Sequence, residues 1–160
     1  FLEFSIAGPD GNDTLISVER LQFSDRHIAI DLDEGQSGNN TARLIGAAFD
    51  AVAIQSHPDF VGLGLKSFDA GQNMLDVAQL ALSAMGNLAN ETFVDTVYLN
   101  VVGMAPSQVD RDFYIGLLEG GGGALSQAQV LGIAASSEVN VANIDLVGLQ
   151  QSGIEFNPNA

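Results

Sequence analysis

The side chains of this sequence that could do chemistry are nearly all carboxylates. Asp31, Asp33 and Glu34 form an Asp-x-Asp cluster just before a polar stretch. Calcium is a hard cation that takes carboxylate and carbonyl oxygens, so Asp31 and Asp33 could hold it if a further ligand folded over them. The cluster lacks the spacing of a helix–loop–helix calcium loop, which ends in a bidentate Glu, and solvated turn carboxylates are its plainer reading. Asp110 and Asp112 flank Arg111. They could form an acid pair, but at a helix start they are better explained as favourable charges near the positive dipole end. His27 and His57 are the only histidines, one in each half of the architecture set out below, and no helix carries a two-histidine metal pair. Cysteine is absent, which removes disulfides, thiolate metal sites and Cys nucleophiles. No Ser sits in a Gly-x-Ser-x-Gly elbow. Gly120–Gly123 lacks the Lys-Ser/Thr ending of a phosphate loop. No acid, base and nucleophile converge in sequence, so the expectation is a protein that is not an enzyme.

The balance of charge excludes whole classes of partner. Twenty Asp plus Glu stand against five Lys plus Arg, a formal net charge of −15. Nucleic-acid phosphates need clustered cations, and so do anionic lipids. Neither is an expected partner. Hydrophobic residues make up 46% of the 160, enough to bury a core without staples. No apolar run reaches the roughly 18 residues of a membrane helix, so no membrane insertion is expected. Starting at Phe1 rather than Met, the chain reads as a piece of a longer protein.

The elements that must position these groups fall into three parts. Residues 1–33 form a β-patterned arm. Leu2, Phe4 and Ile6 alternate with polar residues, Gly8-Pro9-Asp10-Gly11-Asn12-Asp13 is dense turn chemistry, and Leu21, Phe23, Ile28, Ile30 and Leu32 alternate again. This predicts three or four short strands that need a partner surface. Residues 34–40 are a polar, glycine-rich linker. Residues 41–160 form a duplicated helical domain with a C-terminal tail. In its first copy Thr41 is the expected cap, Leu44, Ile45, Ala48 and Phe49 make an apolar stripe, Pro58 opens the second helix, and Asn73 with Asp76 caps the third. In the second copy Thr92 with Asp95, and Ser126 with Gln129, resemble capping boxes. Gly103 ends the first of these helices, and Pro106-Ser107 answers Pro58-Asp59. Phe113, Tyr114, Leu117 and Leu118 answer Gly64, Leu65, Phe68 and Asp69. The first copy carries about five extra residues near Ala51–Ser56. The predicted fold is mainly α: two three-helix units packed as a bundle, with a small N-terminal β-arm. Phe93–Val139 is its clearest stretch. A last short helix and the extended Ile154–Ala160 follow.

Two stretches carry a resemblance. Gly8-Pro9-Asp10-Gly11-Asn12-Asp13-Thr14-Leu15-Ile16 is similar to the calcium-binding nonapeptide of repeats-in-toxin (haemolysin-type) proteins, with Pro9 where a second Gly belongs. The resemblance implies Asp13 as a calcium carboxylate, with Gly8, Asp10 and Gly11 in the loop, and a calcium shared between neighbouring turns. Val18-Glu19-Arg20-Leu21-Gln22-Phe23 resembles the segment that closes such arrays, with Glu19 and Arg20 read as a surface or capping ion pair. From Ala42 to about Glu138 the chain resembles the domain of unknown function that often follows these arrays in secreted and surface-layer bacterial proteins. Pro58-Asp59 with Gly62-Leu63, Phe113-Tyr114 and Ser126 through Ser136-Ser137-Glu138 carry it. The family commonly has Tyr-Trp at the paired-aromatic site; this chain has no Trp.

The function this implies is that of a non-enzymatic C-terminal module of a larger exported protein, secreted or at the cell surface. It would assist type I secretion, with the exporter as partner, and calcium-linked folding outside the cell. The alternative is a surface-layer or adhesion module that binds cell-surface glycan or itself.

Overall fold

The computed structural model describes residues 3–120 and 124–160. Leu2 of the first alternating set and Gly121–Gly123 of the glycine break lie outside them. The expected mainly α bundle with a small N-terminal β-arm is the fold adopted. The helices are α1 (Ser37–Phe49), α2 (Ala53–Ser56), α3 (Pro58–Asp69), α4 (Met74–Ala84), α5 (Asn90–Val102), α6 (Gln108–Glu119), α7 (Gln127–Ser136), α8 (Glu138–Asn143) and α9 (Leu146–Ser152). The residues expected as extra in the first copy form α2.

The arm divides into two unlike parts. β1 (Glu3–Gly8) and β2 (Gly11–Ile16) make an antiparallel hairpin around Pro9-Asp10, with Gly8 opposite Gly11. Pro9 suits a fixed-φ turn position, and Gly11 adopts φ +130°, which L side chains rarely do. Phe4, Ile6 and Leu15 share one face and stay only half-buried. β3 (Arg20–Gln22) and β4 (His27–Ala29) belong instead to a three-stranded antiparallel sheet whose other edge is β5 (Ile154–Phe156). The tail is therefore a docked strand. Asn157 N–H donates to Pro58 O at 2.9 Å, and Lys66 Nζ donates to Ala160 O at 3.1 Å.

The linker expected at 34–40 is not a break in the core. Ala29 and Leu32 have no exposed surface and pack with Ala42, Ile45, Ile54, Val61 and Leu65. The last residues of the expected linker are already helix, and Thr41 is a buried residue inside α1 rather than its cap. The reason lies upstream. Asp31 Oδ2 accepts from Gly38 N–H at 3.0 Å and Asp31 O from Asn39 N–H at 3.1 Å, so the orphan amides of α1 are met from before the helix. Thr92 likewise lies inside α5, whose cap position is Ala89. The boxes at Asn73 with Asp76 and Ser126 with Gln129 are formed as expected, and Gly103 is left-handed at φ +80°.

The helix at the centre is α1. Its Leu44, Ala47 and Ala48 join Val77, Leu82, Phe93, Val97, Leu131 and Ala135 in one apolar core. Its Ala42 and Ile45 join the other core, with Ile144, Leu149 and Ile154. Small residues let neighbours approach it closely. Gly46 lies against Ile144 and Asn140 of the α8 region, and Gly38 lies against Asp31. The stretch Phe93–Val139 thus supplies most of one of the two cores, and α1 joins them.

Candidate functional site

The carboxylates singled out from sequence do not converge. Asp10 sits in the hairpin turn and Asp13 in β2 opposite Ile6, both exposed. Gly8 and Gly11 flank the turn. Calcium takes six to eight oxygens, so these residues do not by themselves form a closed site. Asp31 is committed elsewhere. It is 4% exposed, forms an ion pair with Arg20 and caps α1. Asp33 is half-buried, and its N–H is taken by Gln36 Oε1 at 2.9 Å. Among the described residues no group of three or more His, Cys, Asp or Glu is placed to hold a metal ion. His27 packs on Phe156 and His57 stacks on Phe60, so each histidine has an aromatic neighbour.

Arg20 is a node that the sequence did not reveal. It was expected to pair with Glu19. Its guanidinium instead joins Asp31 and, at 3.2 Å, Asp69 at the end of α3, and lies 5.9 Å from the Phe156 ring centroid. Four segments distant in sequence meet there, and no local spacing could announce it.

A second polar cluster lies where α5 meets α6. Arg111 donates to Asp95 at 2.7 and 3.1 Å and to Glu91 at 3.3 Å, and these bonds hold its guanidinium above the usual arginine range. Asp110 accepts from Ser107 Oγ at 2.7 Å and from Tyr98 Oη at 3.3 Å. Loss of solvent contact, then the adjacent Asp110 carboxylate and Tyr114, push the Tyr98 phenol up. Asp112 turns outward and accepts from Gln108. The two carboxylates therefore form no acid pair: Asp110 lies in the first turn of α6, as the helix-start reading expects, and bonds Tyr98, while Arg111 bonds neighbouring acids. This geometry holds the Tyr98 hydroxyl on Asp110.

Two apolar grooves open on the helical body, one in each three-helix unit. They are lined at matching places. Leu44, Ile45 and Phe49 of α1 are answered by Val97, Tyr98 and Val102 of α5. Val77, Leu80 and Ala81 of α4 are answered by Val130, Ile133 and Ala134 of α7. Gly64 and Ser67 of α3 are answered by Tyr114 and Leu117 of α6. The helix starts set this register, since His57 and Ser107 are the caps of α3 and α6. It corrects by one place the match read from sequence, which put Phe113 opposite Gly64. The grooves hold about 90 Å³ and 180 Å³ of open space respectively.

No curated protein and no solved structure matches the chain. Residues 76–143 match a family model described as Domain of unknown function (DUF4214), from the first turn of α4 to the end of α8. The match takes in the whole second groove, and the expected resemblance to a domain of unknown function stands over this part of the chain.

Proposed function

We propose that this chain is a non-catalytic module of a larger exported bacterial protein, secreted or held at the cell surface, that closes a strand-rich calcium-binding region preceding it. The observation that carries the reading is the β1–β2 hairpin. It offers Asp10 and Asp13 to solvent, leaves the Phe4, Ile6 and Leu15 face half-covered, and among the described residues has no helix packed extensively upon it. A lone hairpin is marginal in water. Strands laid before it would cover the apolar face and bring the further oxygens that calcium needs. The helical body would then be a rigid end-piece, tied to the arm through Arg20, Asp31 and α1.

The tail is docked on α3 in the folded chain. A type I exporter would therefore engage it before folding is complete. The test is a carrier protein fused ahead of residues 1–160 and expressed with a type I exporter. The expected result is carrier in the medium only when exporter and module are both present. Carrier retained in the cell sinks the secretion reading. A companion measurement compares calcium-dependent melting of this chain alone with that of the chain preceded by repeat segments; the expected shift belongs to the longer protein.

A further inference from the structure

The two matched grooves differ in what fills them. In the first unit, Phe49 closes α1 and Phe60 lies in the first turn of α3, with ring centroids 4.8 Å apart. At the matching places of the second unit stand Val102 and Asp110. The phenylalanine pair is absent there, and although Tyr98 and Tyr114 line the wall with centroids 6.0 Å apart, the groove keeps about 180 Å³ of open space where the first keeps about 90 Å³. That is the scale of one aromatic ring, since an apolar cavity of about 150 Å³ takes a single benzene. It is too small for the roughly 300–1,000 Å³ of a typical small-molecule site. Val97, Val101, Leu117 and Val130 supply apolar walls, and the Asp110 carboxylate, bonded to Tyr98 of the wall, sets a negative charge beside the groove. The chemistry wanted is one aromatic anchor beside a cation.

The chain presents such a group itself. The β3–β4 turn is closed by Phe23 N–H donating to Arg26 O at 2.8 Å, and it lifts Phe23 to 40% exposure. The Arg26 guanidinium lies 5.8 Å from the Phe23 ring centroid. Arg20 and Arg111 are spent on carboxylates, Lys66 on the carbonyl of Ala160, and Arg43 is half-buried on α1. Arg26 is exposed and makes no ion pair among the described residues. Its turn belongs to the sheet that packs on α2 and α3, whereas the open groove lies among α5, α6 and α7. The match is therefore between molecules.

We propose that the second groove takes the Phe23–Arg26 turn of a second copy of this chain, with the Phe23 ring in the space the missing phenylalanines leave and Arg26 against Asp110. Tip and groove are different surfaces, so the contact is head-to-tail. Each bound copy leaves one groove and one tip open, and the product is a row rather than a closed dimer. This inference is independent of the export reading, and export of the carrier does not bear on it.

The test is sedimentation velocity on the purified chain over a concentration series reaching about 1 mM, a weak but measurable affinity. The expected result is growth from monomer through dimer to longer species. Phe23→Ala removes the tip, and Val102→Phe plugs the groove with the residue of the first unit. Each weakens association at least about tenfold, with circular dichroism and melting to establish folding. Mixed one to one, they form a dimer that grows no further, because one keeps the groove and the other the tip. Should Val102→Phe fail to fold, Arg26→Asp and Asp110→Arg each weaken association and together restore it. A wild-type chain monomeric throughout, association indifferent to Phe23→Ala and to Asp110→Arg, or a mixture of folded variants that forms no dimer overturns the proposal.

Discussion

Replacing Gly46 by Ala should destabilise this protein, while the same change at Gly116 should stabilise it. Both glycines lie inside helices, α1 and α6. In a helix interior Ala is better than Gly by about 0.5–1 kcal/mol, because Gly loses more backbone freedom on folding. At Gly116 an added Cβ meets nothing within 4 Å, so that gain of about 0.4–1 kcal/mol is expressed in full. At Gly46 the added Cβ collides with Ile144 Cγ2 and comes within 3.2 Å of Asn140 Oδ1. Asn140 is fully buried and hydrogen-bonded to Arg43 O and Ala135 O, so it has no free direction in which to give way. Overpacking of this kind costs about 1–3 kcal/mol. The steric term exceeds the propensity gain, leaving a net loss of about 0.5–2 kcal/mol. Urea denaturation reads both variants as a shift in midpoint at unchanged slope. Thermal melting should move about 2–4 °C per kcal/mol for a domain of this length. In an Ile144→Ala background the penalty of Gly46→Ala should shrink, giving a coupling of about 0.5–3 kcal/mol. A Gly46→Ala protein as stable as wild type would refute the seating of the α8 region on α1. Equal signs at the two glycines would refute the packing argument as a whole.

Other expectations follow from the nodes described above. Arg20→Met should cost about 3–5 kcal/mol by urea melting, since it leaves the Asp31 carboxylate buried without its partner. A double variant with Asp31→Leu should recover part of that loss. Asn140→Ala should cost about 1–3 kcal/mol, because two buried carbonyls lose their donor. The Tyr98 phenol is raised above its ordinary 10.0, so the fold favours its neutral form. The stability it contributes is complete below the ordinary phenol range and is lost as pH rises through the raised value. Phenolate absorbance should show a late-ionising tyrosine that disappears in Tyr98→Phe and moves back toward the ordinary range in Asp110→Asn. A Tyr98 titrating at its ordinary position would remove the Asp110 contact from the folded state.

What the sequence determined by itself is what local physics controls. Apolar spacing placed the long helices, Asn73 with Asp76 and Ser126 with Gln129 set two of their starts, and Gly103 set a stop. These signals act within one turn, so they need no tertiary partner. The duplication was legible too, because matched stripes recur whatever they pack against. Wherever a partner distant in the chain does the work, the local signal misleads. Thr41 has the chemistry of a cap, yet α1 starts at Ser37, because Asp31 reaches its first amides from outside. Asp31 and Asp33 read as a turn cluster, but Arg20 draws Asp31 into the core. The tail reads as a short extended segment, and only its pairing with β4 makes it a strand of the sheet. Only the tertiary structure aligned the two units by their helix starts. That alignment set Val102 and Asp110 against Phe49 and Phe60, a difference in three dimensions that goes with about half the open space in the first groove.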